Sequence, residues 1–236
     1  MSQSNVLKGR ALVALAILAS LLSFAKFSHC ENTGWATPDQ YIHACYSDLP
    51  SLYEARGLST NQWPYASADN SVEYPVLTGL VMYLTSFVAN SPASYFNINI
   101  LFLVLLFIAT VIVVRKIRPE FAYLVPVAPA MIASLFINWD LWAIATMMVA
   151  IYWFDRKQYL GSALLLGVSI STKFLPIFLL IPILFILWRE GKVKEAIKYT
   201  AITFGTWLLI NAPFAITTPE GWWRFYKLNL ERGPDW

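Results

Sequence analysis

Long apolar runs separated by short polar connections make up most of the chain: Ala11–Phe27, Tyr74–Val88, Ile98–Val114, Phe121–Ile137, Leu141–Phe154, Leu160–Trp188 and Ala196–Ile216. Their length and near-continuous apolarity predict helices that cross or lie on a bilayer. The alternating segments of about ten residues that mark an outer-membrane barrel do not occur. As one helix, Leu160–Trp188 would be about 43 Å long, more than a hydrocarbon core needs. Its centre is polar, Ser169-Ile170-Ser171-Thr172-Lys173, which predicts two short helices turning near Lys173–Pro176. Pro126 and Pro129 soften the run Phe121–Ile137.

Charge decides which runs cross. Lys8 and Arg10 precede the first run, and later connections hold Arg115-Lys116-Ile117-Arg118, Asp155-Arg156-Lys157 and Arg189-Glu190-Gly191-Lys192-Val193-Lys194. The connection over 30–75 instead carries Glu31, Asp39, Asp48, Glu54, Asp69 and Glu73 against a single Arg56. Lys and Arg in short connections mark the cytoplasmic side. The N-terminus is therefore expected inside and the 30–75 loop outside. If Tyr74–Asn90 crossed, Arg115, Lys116 and Arg118 would be delivered outside. The conflict disappears if 74–90 is an interfacial helix, which its Pro75 start and its Thr78, Tyr83, Thr85 and Ser86 suit. Two crossings between Leu160 and Trp188 likewise keep Lys192, Lys194 and Lys198 inside. The expected architecture is all-α: one multi-pass transmembrane domain over 1–236, about 7 transmembrane helices plus the interfacial helix, in the cell membrane.

Composition agrees, with 58% hydrophobic residues, 13% charged and a mean hydropathy of +0.54. A soluble domain is nearer a quarter charged. The net charge of +3 follows from the inner connections and reads as a topology signal, with no nucleic-acid partner expected. Residues 1–29 have the basic start and apolar stretch of a signal peptide, but Phe24–His29 offers no small-x-small cleavage site, so an uncleaved first span is expected. Cys30 and Cys45 share the outer loop, where they could bridge or remain thiols. His29 and His43 lie beside them at a spacing that matches no standard zinc pattern, and no metal or cofactor is expected. Trp35, Trp63, Trp139, Trp188, Trp222 and Trp223 fall near expected boundaries, as an aromatic belt would.

Several polar residues could carry chemistry at the outer face. Lys173 lies within an apolar run, where a lysine is costly unless it snorkels or pairs. At the outer turn of two short helices it could meet an anionic group. Asp48 could act as a general base on a substrate hydroxyl, or could cap a helix over Pro50–Ala55. Glu73 and Tyr74 stand where the chain meets the interface. Asn138 and Asp140 flank Trp139 at another outer turn, where they could also cap a helix. Arg224, Lys227 and Arg232 put rare positive charge outside among aromatics, which suits an anionic or sugar ligand and equally suits lipid headgroups. No phosphate-binding glycine loop, zinc helix motif or serine-hydrolase elbow occurs.

Five segments in this order resemble actinobacterial membrane proteins of glycosyltransferase family 87: Tyr46-Ser47-Asp48-Leu49-Pro50 with Tyr53 and Arg56-Gly57-Leu58; Glu73-Tyr74-Pro75-Val76-Leu77; Asn138-Trp139-Asp140; Thr172-Lys173-Phe174-Leu175-Pro176; and Leu228 through Trp236. These are GT-C fold enzymes related to polyprenyl-phosphate-mannose-dependent α-mannosyltransferases. The resemblance implies a polyprenyl-phosphate sugar donor, a glycan or glycolipid acceptor and transfer on the outer face among membrane lipids. It also implies an acid of the first outer loop as base, the place of Asp48, with inversion at the anomeric carbon. Lys173 and Arg232 would then meet the donor phosphate, and Glu73, Tyr74, Asn138 and Asp140 the substrates. Family members continue with further spans, so the chain is expected to be an N-terminal part. A transporter could use the same intramembrane lysine and broken helices but expects paired breaks in two repeats, and only one clear break is present. A non-catalytic assembly protein would not need the polar outer cluster.

Overall fold

The computed structural model describes residues 3–233, all helical where regular, with no strand among them. Pro234, Asp235 and Trp236 of the last family-like segment lie outside the described residues. The helices are α1 (Gln3–Asn32), α2 (Asp39–Ile42), α3 (Asp48–Ala55), α4 (Val76–Ser86), α5 (Pro92–Ile117), α6 (Leu124–Val127), α7 (Pro129–Ser134), α8 (Asp140–Asp155), α9 (Tyr159–Thr172), α10 (Leu180–Arg189), α11 (Val193–Thr217) and α12 (Pro219–Glu231). Short 3-10 turns cover Leu58–Thr60 and Leu175–Leu179.

Local chemistry sets the boundaries of α5. Pro92 opens the helix, the Ser91 hydroxyl accepts from the Ser94 N–H, and the Ser94 hydroxyl accepts from the Ser91 N–H. Arg115 and Lys116 occupy the last turn, where the helix dipole favours cations. The Phe121–Ile137 run breaks at Ala128, which is extended ahead of Pro129, because the residue before a proline is pushed out of helical geometry. The 160–188 run breaks at Lys173, also extended, and resumes through the 3-10 turn into α10.

The basic connections gather at one end of the bundle. There the Tyr123 hydroxyl donates to the Lys8 carbonyl, Lys116 lies over the Tyr152 ring, and Lys192 reaches the Tyr159 hydroxyl. At the opposite end, here termed the cavity end, Asn97 of α5 donates to Glu31 of α1 and Ser47 bonds the carbonyl of Phe136. The chain therefore passes between the ends through α1, α5, the α6–α7 segment, α8, α9, α10 and α11. α4 makes no such pass: it has 11 residues, about 16 Å. Thr78 in its first turn donates to Thr172 at the end of α9, and Thr85 in its last turn meets Asn99 near the start of α5.

Among the described residues, three helices are long and apolar enough to cross a membrane: α1 from Lys8, α5 and α11. Exposed Leu21, Ile181, Phe185 and Leu209 leave apolar surface on α1, α10 and α11, the surface a bilayer would cover. α9, with 14 residues, is too short for a full bilayer, as expected for the broken run.

One apolar core joins α1, α3, α5 and the start of α8, and a second joins α8 through α11. Trp139 belongs to the first core, not to an aromatic belt: it is 1% exposed and donates to Asn99 at 2.7 Å. Its indole N–H needs an acceptor once buried, and Asn99 supplies it from α5. Cys30 and Cys45 form a disulfide that ties the end of α1 to the chain after α2.

Candidate active site

Asp48 opens α3, but it is not the cap. That role falls to Ser47, whose side chain accepts from the Leu49 N–H at 3.2 Å. The Asp48 carboxylate is free to face outward and is held by two phenols: Tyr46 donates to Oδ1 at 2.7 Å and Tyr74 to Oδ2 at 2.5 Å. The Asp48 N–H donates to the Ile137 carbonyl at 2.7 Å, so the last residues before α8 fix its backbone. Burial, reinforced by the Asp48 charge, pushes the Tyr46 hydroxyl up to about 12 and the Tyr74 hydroxyl well above its usual value. Both phenols therefore stay protonated donors. Each carboxylate oxygen keeps a lone-pair site beyond its phenol bond, which a substrate hydroxyl could use.

Tyr74 is 8% exposed and packs edge-to-face on Trp139, with centroids 5.7 Å apart. Its other neighbour is Lys173, whose ammonium stands 5.2 Å from the ring centroid. Lys173 caps the end of α9 and donates to Asp140 at 2.6 Å. Asp140 in turn begins α8, and its N–H is taken by the Asn138 side chain at 3.0 Å. Glu73 sits between two guanidinium groups. Arg56 grips both its oxygens, and Arg224 of α12 reaches Oε1 at 3.4 Å while donating to the Ala68 carbonyl at 3.0 Å.

These groups surround a cavity of about 360 Å³. Asp48, Glu73, Tyr74, Lys173 and Arg232 all line it, so five residues singled out from the sequence meet in one place. Asn138 and Asp140 do not. They line a smaller space beside α7, and Asn138 serves the start of α8. Asp140 touches the cavity only through Lys173.

Sequence reasoning assigned no role to Tyr46 or Arg56 and expected no helix at α12, whose Phe225, Leu228 and Asn229 form one wall. The signal for α12 was present in Pro219 at its first turn and in the apolar spacing Trp222, Phe225 and Tyr226. Trp222 secures α12 by donating to Asn211 of α11 at 3.0 Å.

The cavity thus combines a carboxylate held by two phenols, the Lys173 ammonium over the Tyr74 ring, Arg232, and aromatic walls from Tyr46, Tyr74 and Phe225. That set can deprotonate a hydroxyl and stabilise a leaving anion. The family model described as "ALG3 protein" matches residues 75–232, which include the α12 wall and Lys173. No curated protein and no solved structure matches the chain.

Proposed function

The chain belongs to the ALG3 protein family, a family of GT-C-type membrane mannosyltransferases, and on that footing we propose that the Asp48 cavity transfers mannose from a polyprenyl-phosphate donor of the dolichyl-phosphate type. The acceptor is a hydroxyl of a cell-envelope glycan or glycolipid, and the cavity opens on the outer face of the cell membrane. The ordered segments that resemble glycosyltransferase family 87 favour the bacterial form of this reading, with a polyprenyl carrier.

The reaction follows from the groups present. Asp48 takes the proton of the acceptor hydroxyl as its oxygen bonds to the anomeric carbon. The bond from that carbon to the phosphate oxygen breaks on the opposite side, which inverts the configuration. The electron pair leaves on the lipid phosphate, where Lys173 and Arg232 meet the developing charge. A donor held by its lipid needs no nucleotide pocket.

The observation that carries this reading is the placement of Asp48, held by Tyr46 and Tyr74, in the same cavity as Lys173 and Arg232. The test is transfer of radiolabelled mannose from a polyprenyl phosphate to membrane acceptors. Label should reach the acceptor with wild-type protein and not with Asp48→Asn. Equal transfer by both proteins would remove Asp48 as the base.

A further inference from the structure

Outside the cavity, a second group of polar side chains converges at the end of α1. Nε2 of His29 and Nδ1 of His43 lie 3.0 Å from different oxygens of the same carboxylate, Asp39. The ligand-capable atoms of the three residues lie within 4.8 Å of one another, and the two imidazole rings are 4.0 Å apart. We propose that His29, Asp39 and His43 form a binding site for a first-row transition-metal dication, with zinc the best fit.

The donor set favours this class. Two imidazoles and one carboxylate are the three-ligand complement of open zinc sites, with water in the fourth position. In such a site, bonds of about 2.0–2.2 Å hold ligand atoms roughly 3.3 Å apart. Each imidazole nitrogen is already 3.0 Å from an Asp39 oxygen, and the farthest pair of ligand atoms lies within 4.8 Å. The carboxylate is already oriented: the Thr33 hydroxyl donates at 2.8 Å to Oδ2 of Asp39, the oxygen that faces His29, as a supporting group does for a ligating carboxylate. The scaffold is fixed by the Cys30–Cys45 disulfide, which begins one residue after His29 and ends two residues after His43. The side chains of His29, Asp39 and His43 are 43%, 30% and 49% exposed, so an ion can reach them from solvent.

The sequence spacing matched no standard zinc pattern for a physical reason. The cysteines that seemed the natural partners are joined to each other, and the third donor is a carboxylate in the first turn of α2. The site shares no residue with the Asp48 cavity and rests on no part of the transferase reading.

The full chain, purified in detergent with a tag free of histidine and stripped with chelator, provides the test. Titration with Co²⁺, followed by visible absorption and by displacement with Zn²⁺, should show one equivalent bound. His29→Ala, His43→Ala and Asp39→Asn should each weaken binding at least tenfold. Monodisperse protein with an intact disulfide identifies the variants that have folded. X-ray absorption of zinc-loaded wild-type protein supplies a measurement independent of any variant and should show scattering from two imidazoles. No bound equivalent in wild type, unchanged binding in the variants, or a zinc spectrum without imidazole would each overturn the site.

Discussion

The Tyr74 hydroxyl reaches across 26 residues of chain to donate to Oδ2 of Asp48 at 2.5 Å. The same ring carries Trp139 on one side and the Lys173 ammonium on another. One phenol thereby connects the Asp48 carboxylate, the buried core and the Lys173 ammonium of the cavity. Tyr74→Phe keeps the ring and removes only the donor. It should leave folding intact and lower mannose transfer about tenfold or more, with little change in donor KM. A KM change alone would place Tyr74 in donor binding.

Asp48 and Ser47 should fail in different ways. Because Ser47 provides the cap, Asp48→Asn should still fold, with the loss of one charge-assisted phenol bond, while transfer falls by about 100-fold or more. Ser47→Ala should instead cost about 1 kcal/mol or more, since it loses the cap and the 2.7 Å bond to the Phe136 carbonyl. Melting in detergent and a transfer assay on both variants check the pair.

Lys173 can be separated from its partner. If its ammonium meets the donor phosphate, Lys173→Met should raise the donor KM. Asp140→Ala, which releases the lysine from its 2.6 Å bond, should leave the donor KM unchanged or lower it. Equal damage from both variants would show that only the ion pair matters. Lys173→Arg should not restore activity, because a planar fork does not replace a compact ammonium.

Alkaline pH should expose Tyr46. Its pKa is near 10 in the unfolded chain and about 12 in the folded protein, raised mainly by burial. A raised folded value means that its contribution to stability is complete below pH 10 and is lost as pH rises from about 10 to 12. Tyr46→Phe cannot ionise, so its melting temperature should fall less steeply over that window. Parallel slopes for the two proteins would remove the effect.

Thiol labelling tests the layout. Both native cysteines are joined in the disulfide, so introduced cysteines report alone. Asp69→Cys and Asn90→Cys, which flank α4, should label from outside, and Arg118→Cys from inside. Labelling of the first two from opposite sides would make α4 a crossing.

Much of this arrangement could be read from the sequence because charge in connections and breaks in apolar runs are local signals. Lys173 announces its own turn, since a lysine amid Ser169, Ser171 and Thr172 cannot continue an apolar helix unnoticed, and the α6–α7 break is written in Pro129. Pairings across the chain were not legible. Arg56 read as a lone loop charge and Glu73 as a substrate contact; only the fold shows them paired across 17 residues, with Arg224 a further 151 residues on closing the group. Asp48 was ambiguous because a helix-starting serine and an aspartate stand side by side, and only geometry shows which one caps. Trp139 looked like an interface residue because its acceptor, Asn99, lies 40 positions earlier on another helix.

Gly221 governs how near α12 can stand. A β-carbon there would run into the hydroxyl of Ser71 and, more seriously, into the backbone carbonyl of Tyr65, which cannot retreat as a side-chain tip could. Since α12 carries Phe225, Leu228, Asn229 and Arg232 as one face, even a methyl group at this position would lever that whole face outward, like a door held off its frame. The bore of the chamber is thus gauged by a hydrogen atom at a residue that does not itself line it.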